Sequence, residues 1–417
     1  MIKTQTVKIG SNRGLPRIWI QNKSIEEAGF TKDSTYDIVY NPVQQKITIN
    51  KSESGDRKVS GTGKRSAIID ICNSMIRDVF KDNTEVEITI SQNRIVISLT
   101  KIDRKKSARI SNKTMGSVFT GIGGLDEAGK RSGYEAKFAI EKESHYAEIY
   151  ENNNSNVEVH NSDIANVEFS KLQKVELLVG GIPCEPFSQV RRNYREGELP
   201  ELHENADLSM HFLQLVEHVN PRNIVLEEVP QYLKSGVGTA TMNALKRMGY
   251  HVVSKTVDGT EYGESTQRKR AVILATTEEI EFPEPVNDKH AKLHELLLPV
   301  NDPQCEWWNR ETKSWVFEHW ETQTAKGNNF ASQQLEYGKS ETVQAITRRY
   351  FAQQGGNPVV KHPDMEDTFR WLTITEVKRI MGYEDDFDLG TAKTTAGEGM
   401  GQSVLIDMFA KIIGGLQ

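Results

Sequence analysis

Four places in this chain carry side chains whose types and spacing could do chemistry. Cys184 stands between two prolines in Gly-Gly-Ile-Pro-Cys-Glu-Pro-Phe-Ser (residues 180–188), after the apolar run of residues 175–179. The run reads as a buried strand, and the prolines stiffen the backbone and bar its continuation into a sheet. A thiol on such a loop, at the carboxyl end of a strand, can reach something outside the core. Taken alone, its ordinary reading is a small buried hydrophobe, because free cysteine is among the most buried residue types. Glu227 and Glu228 end a second buried run, residues 223–226, just before Val229-Pro230. Two carboxylates there lie where wound sheets place ligands. Arg268 and Arg270 hold alternate positions ahead of the strand at 271–275, and extended backbone would project them the same way. The fourth place is Phe-Thr-Gly-Ile-Gly-Gly, residues 119–124, a short strand entering a glycine turn with a helix over 125–132. Glycines let a ligand approach the backbone, and a helix N-terminus favours negative charge. The next strand, 136–140, ends at Glu141, suited to the paired hydroxyls of a ribose, and Asp163 follows one βα unit later. Together these describe an adenosine pocket.

The elements that must position these groups follow a regular plan. From about residue 115 strands alternate with helices, which signals a parallel sheet wound with helices. A helix is expected over 209–219 and a polar loop over 189–198, while residues 281–365 lose the alternation and read as a small irregular lobe. The chain closes with a helix over 375–381, a glycine-containing turn ending at Gly401 and a final helix over 402–413. Residues 1–100 read differently. Short alternating strands at 17–20, 36–40 and 46–50 enclose one helical turn stopped by Gly29. A helix over 67–80, with Cys72 in its apolar face, precedes a hairpin of 85–90 with 94–98.

Composition narrows the class. In 417 residues, 37% are hydrophobic and 26% charged, which suits a soluble globular chain of two or three domains. No apolar run approaches the roughly 20 residues that cross a bilayer, and the N-terminus lacks a signal peptide's apolar block. Three scattered cysteines suit neither a disulfide framework nor a zinc site, so a reducing cytoplasm and no metal are expected. The net charge of −6 hides an asymmetry: residues 1–115 carry 21 Lys+Arg against 12 Asp+Glu, and the rest carry 31 against 46. A basic first quarter suits a polyanion, or is an ordinary solvated basic face.

The glycine turn, the Pro-Cys loop, Glu-Glu-Val-Pro at 227–230, the Gln-Arg-Lys-Arg run and Gly-Gln-Ser-Val at 401–404 occur in a fixed order. In that order and at those intervals, residues 115–417 resemble the DNA cytosine-5 methyltransferases. The resemblance implies an α/β, Rossmann-like catalytic domain at 115–280 and 366–417, binding S-adenosyl-L-methionine. The irregular lobe at 281–365 would then be the target recognition lobe, with double-stranded DNA held between. By position, Phe119, Gly121 and Gly123 would line the methionine end, Glu141 would hold the ribose and Asp163 the adenine amino group. Thr120, Gly124, Lys142, Ile164, Pro183, Gln402, Ser403 and Val404 would complete the pocket as the last segment packs onto the first. Cys184 would be the nucleophile, Glu227 the acid at the base's pairing edge, and Arg268 and Arg270 the anchors of the base's O2. Ser188, Arg191, Arg192 and Arg195 would contact DNA around a flipped cytosine. Residues 1–60 resemble the small AbrB and SymE-like swapped-hairpin domains. That implies DNA contact or a homodimer, with a second unit at 61–100 and a basic linker at 101–114. A bacterial or phage-infected cytoplasm is the expected setting, without membrane.

Several neighbours depart from the family pattern. Glu185 stands where Gln is usual, Glu228 for Asn, Thr266 for the first Gln of the arginine motif and Gln402 for Asn, while Lys142 replaces an aromatic or aliphatic residue. Extra carboxylates disfavour a thiolate unless they are paired or turned away. Two alternatives remain at this point. One is a relative that transfers a modified group from an altered sulfonium cofactor, prompted by Gln402. The other is a DNA-binding protein with a decayed enzyme domain.

Overall fold

The computed structural model describes residues 3–21, 23–42, 46–61, 67–80, 85–99, 111–183, 208–285, 292–328 and 333–416. The chain divides into two compact units, Met1–Asp103 and Arg104–Gln417.

The first unit contains β1 (Lys3–Lys8), β2 (Gly10–Asn12), β3 (Leu15–Gln21), α1 (Lys23–Glu27), β4 (Thr35–Asn41), β5 (Lys46–Lys51) and β6 (Arg57–Lys58). It continues with β7 (Ile68–Cys72), α2 (Met75–Val79), β8 (Glu85–Ser91) and β9 (Arg94–Leu99). Six strands form one sheet in the order β1-β8-β9-β5-β4-β6, and β2-β3-β7 form another. Segments 1–60 and 61–100, read from sequence as successive units, are therefore interleaved. β1 pairs with β8, β5 with β9 and β3 with β7, over one shared isoleucine-rich core. The expected helix over 67–80 is corrected. Ile-Ile-Asp-Ile forms a strand against Arg17–Gln21, as β-branched residues prefer, and only Met75–Val79 is helical. Cys72 accordingly lies half-buried on a strand and outside a helical core.

The second unit carries the wound sheet. Its elements are β10 (Thr114–Val118), α3 (Gly124–Arg131), β11 (Glu135–Glu141), α4 (Ser144–Asn153), β12 (Glu158–Asn161) and β13 (Leu177–Gly181). Then come α5 (Leu208–Val219), β14 (Asn223–Glu228), α6 (Gly236–Arg247), β15 (His251–Asp258), β16 (Thr266–Gln267) and β17 (Lys269–Thr276). The strand order is β12-β11-β10-β13-β14-β17-β15, parallel from β12 to β14, with β17 antiparallel to both of its neighbours. Alternate side chains enter two cores, one on each face. Val179, Val225 and Val272 lie in one, and Leu178, Leu226 and Ile273 in the other. This is the wound sheet expected from the alternation, in the Rossmann-like form that the family resemblance implies.

The rest comprises α7 (Leu293–Leu296), α8 (Ser314–Ala325), β18 (Gln334–Glu336), β19 (Val343–Gln344), β20 (Val359–Lys361), β21 (Phe369–Trp371), α9 (Ile374–Met381), α10 (Lys393–Gln402) and α11 (Ile406–Gly414). The irregular lobe shares the larger core with the sheet, and β20 pairs with β21 across the expected boundary at 365. Where a glycine turn was expected before Gly401, α10 is helical. Its glycines face neighbours rather than bend the chain: a Cβ on Gly399 would lie 2.6 Å from Ile122 Cγ2, and one on Gly401 2.5 Å from the Arg348 backbone.

Candidate active site

The sheet order reverses between β10 and β13, since the chain runs outward to β12 and then returns to build the other half. Ligands of such sheets bind at this switch point, beyond the carboxyl ends of the strands. The loop after β10 is the glycine turn, and the loop after β13 is Gly-Ile-Pro leading to Cys184. Parallel pairing of Val118 with Gly180 and of Gly181 with Glu227 places three strand ends in a row. Cys184, Glu185, Ser188, Arg191, Arg192 and Arg195 lie outside the described residues. The description reaches Ile182, which is buried, and Pro183, which is half-buried.

Glu227 is 8% exposed and receives Arg270 Nε on Oε1 at 2.6 Å. A Cβ on Gly181 would sit 3.3 Å from Glu227 Oε2, so the glycine leaves room for that second oxygen. Arg270 is the second residue of β17, which lies antiparallel beside β14, and this pairing brings the arginine to the carboxylate.

Arg268 does not project with Arg270, which corrects the expectation from alternation. The chain passes from β16, paired with β19, into β17 of the main sheet, and the strand period breaks at Arg268. Its guanidinium is 2% exposed and donates to the carbonyls of Ile346 at 2.9 Å, Gly401 at 3.0 Å and Ser403 at 2.5 Å. Thr266 is fully buried and donates to the Gln344 carbonyl. These two residues bind the closing segment and the lobe to the sheet.

On the other side of the switch point, Phe119, Gly121 and Gly123 all take left-handed backbone, with φ of 55°, 57° and 96°. Among the described residues nothing lies within 4 Å of where a Gly121 side chain would stand. Its N–H donates to Glu141 Oε2 at 2.7 Å, and the Glu143 N–H donates to Oε1 at 2.8 Å. Burial pushes the Glu141 carboxyl up, and those two amides oppose the shift. Thr120 Oγ1 lies 3.0 Å from Ser117 Oγ and donates to the Ile140 carbonyl. Asp163 accepts the Ala165 N–H at 3.0 Å and faces Lys142 Nζ at 3.1 Å, both of which hold its carboxyl below the usual range. Ile164 is buried beneath this turn.

The last segment does pack onto the first. A Cβ on Gly124 would meet Ser403 Oγ at 2.1 Å, and Ser403 Oγ lies 2.6 Å from Tyr383 OH. Val404 is buried in the shared core, Gln402 Nε2 donates to Tyr146 OH at 3.3 Å, and Arg131 pairs with both Asp407 and Glu384. Tyr146, Tyr383 and Asp126 were not legible as site residues, because nothing in their spacing marks them. Asp126 is fully buried below the glycine turn, accepts Tyr150 OH at 2.9 Å, and is pushed up to about 7 by burial.

Glu228 turns away from Glu227, because successive strand residues alternate faces. It is 1% exposed; Oε2 accepts the Val229 N–H at 2.8 Å, and Oε1 is buried with no hydrogen-bond partner among the described residues. Burial first, and then the Glu227 charge, push its carboxyl well above the ordinary value. Burial of this kind favours the neutral form of the carboxyl over the charged one.

Among the described residues no cluster of His, Cys, Asp or Glu could hold a metal ion, and no helix is long and apolar enough to cross a membrane. Comparison with known proteins gives a consistent pattern. The family model described as C-5 cytosine-specific DNA methylase matches residues 113–417. A Bacillus subtilis protein, Type II methyltransferase M.BsuFI, is 25% identical over 327 residues, covering 75% of this chain and 74% of the relative. Type II methyltransferase M.MspI of Moraxella sp is 25% identical over 344 residues, covering 81% and 78%. Among solved structures, the Entamoeba histolytica methyltransferase EhMeth superposes with a TM-score of 0.60 at 17% identity, covering 74% of this chain and 98% of that one. The S. pombe Dnmt2 methyltransferase superposes with a TM-score of 0.56 at 18% identity, covering 73% and 97%. At these identities the structural likeness concerns the fold.

Proposed function

The chain belongs to the C-5 cytosine-specific DNA methylase family, and on that premise we propose how its own residues divide the work of methylating cytosine at C5. The observation that carries the reading is the Arg270–Glu227 pair, seated against Gly181 at the switch point, three residues ahead of Cys184. Cytosine C5 is a poor nucleophile. As a thiolate, Cys184 forms a bond to C6 and makes C5 enamine-like. The electron pair displaced from the ring is accommodated as N3 takes a proton from Glu227. With Arg270 on Oε1, the oxygen that carries this proton is Oε2, facing Gly181. Arg270 also anchors the base's O2 as charge grows there. Arg268 we reassign as a positioning residue, because its guanidinium is committed to three backbone carbonyls. Loss of the C5 proton to water then expels the Cys184 sulfur as thiolate and restores the C5–C6 double bond, while N3 returns its proton to Glu227.

The cofactor we assign is S-adenosyl-L-methionine, and the cradle fits it: room beside Gly121 among the described residues, the Glu141 carboxylate at the strand end and Asp163 one strand over. When bound, it supplies the electrophilic methyl group that C5 takes up. Phe119, Thr120, Gly121, Gly123, Gly124 and Pro183 would line its methionine end, with Gln402, Ser403 and Val404 covering it, and Lys142 and Ile164 would border the adenosine. The substrate is duplex DNA held between the sheet domain (115–280 and 366–417) and the lobe at 281–365. The target base is flipped out at a cost of a few kcal/mol, and Ser188, Arg191, Arg192 and Arg195 contact the phosphates. The N-terminal unit adds DNA contact or dimerisation, and the setting is the cytoplasm.

Incubation with duplex DNA and S-adenosylmethionine, followed by nucleoside mass spectrometry, tests this. 5-Methylcytosine should appear with the wild-type chain and vanish with Cys184→Ser. A different mass on cytosine would show an altered group donor, and DNA binding without modification would refute catalysis.

A further inference from the structure

Asn161 pairs with Glu141 in the parallel register of β11 and β12, and its Nδ2 donates to the carbonyls of Glu141 at 2.9 Å and Lys142 at 3.1 Å. These bonds fix the Lys142 backbone beside the turn that begins at Asp163. Asp163 caps that turn, so Oδ1 is taken by the Ala165 N–H. The other oxygen, Oδ2, is the one Lys142 Nζ approaches at 3.1 Å. An adenine amino group arriving at Asp163 would need this same oxygen, and both groups are donors.

We propose that Lys142 competes with adenine for Asp163 Oδ2 and thereby sets a lower affinity for the adenosine cofactor than an apolar residue at this position would allow. The inference rests on the pocket reading given above. The lysine side chain is 66% exposed, so it can swing into solvent when the nucleoside enters, and the ion pair it gives up is of the weak, salt-screened kind. Its loss should tighten binding by about two- to fivefold at low salt, the equivalent of one exposed ion pair. The gain should shrink as salt screens the pair in the wild-type protein.

Calorimetric titration of the full chain with S-adenosylmethionine and with S-adenosylhomocysteine, at low and at high salt, reads this without turnover. Lys142→Met keeps the apolar stem and removes the ammonium. It should bind more tightly than wild type at low salt, converge with it at high salt, and lower the unliganded thermal midpoint by no more than about 1–2 °C. Lys142→Arg, which keeps the charge, should track the wild type. Weaker or unchanged binding by Lys142→Met would overturn the competition and mark the lysine as a direct ligand contact or a bystander. Asp163→Asn tests the pocket itself and should weaken binding. Were wild type and Asp163→Asn to bind equally, or were neither to bind, the placement of adenosine at Asp163 would fail, separately from the role of the lysine.

Discussion

Replacing Glu228 with glutamine should stabilise this protein, by an amount that depends on pH. In the fold one carboxyl oxygen accepts the Val229 N–H at 2.8 Å and the other is buried with no partner among the described residues. Burial, then the charge of Glu227, raise the carboxyl well above its ordinary value. Because the folded pKa lies above the unfolded one, the unfolded chain releases this proton first as pH rises. The folded state then binds more protons than the unfolded state, and stability falls by about 1.4 kcal/mol per pH unit until the folded pKa is passed. Below pH ~4, where the acid is neutral in both states, glutamine is nearly isosteric and makes the same bond to Val229, so the difference should be small. As pH rises above that range the variant should gain on the wild type by about 1.4 kcal/mol per pH unit, and the gain should level off where the folded carboxyl ionises. In a unit of this size each kcal/mol moves the midpoint by roughly 1–2 °C. Thermal or urea denaturation of both proteins between pH 4 and 8 gives the curve. A difference that does not change with pH, or a variant that loses ground as pH rises, would show that Glu228 is ionised in the fold, and the reasoning would fail.

Two other outcomes are expected. Arg268→Ala strips three backbone carbonyls of a buried charged donor and should cost about 2–4 kcal/mol in stability; in the folded fraction, a positioning role predicts a raised KM for S-adenosylmethionine with kcat less affected, where an O2 anchor would lose kcat. Residues 104–417 hold their own two cores, so this fragment should fold alone and methylate duplex DNA with unchanged kcat, whereas loss of turnover with cofactor binding intact would tie the N-terminal unit to catalysis.

The wound sheet was legible because its strands are continuous apolar runs ended by glycine, proline or charge, as buried parallel strands must be. Glu141 and Glu227 fall at the carboxyl ends of β11 and β14 for the same reason. What escaped reading depended on long-range pairing. Residues 68–72 have a helix-compatible apolar pattern, but Arg17–Gln21 offers them a partner strand 47 to 55 residues upstream, and pairing overrides the period. Arg268 was misplaced because the alternation rule assumes one continuous strand, and the chain changes sheets at that residue. The glycines of 397–401 read as a turn, since sequence cannot show that Phe351, Ile122 and Arg348 press against a helix at those positions. The departures Thr266, Glu228 and Lys142 acquired explanations only once their neighbours were visible.

The lock between the glycine turn and the closing helices has a consequence in time. Arg131 and Asp407 are 276 residues apart along the chain, and Gly124 must be met by Ser403 before its loop is packed. At a synthesis rate of ~5–20 residues per second, the first half of this lock waits roughly 14–55 s for the second. Throughout that interval the nascent sheet can assemble, yet the glycine turn proposed as its nucleoside cradle stays uncovered by the closing helices. Cofactor capture should therefore mark a late step of biogenesis, and ribosome-bound chains stalled before residue 396 should be protease-resistant across β10–β14 while retaining no S-adenosylmethionine.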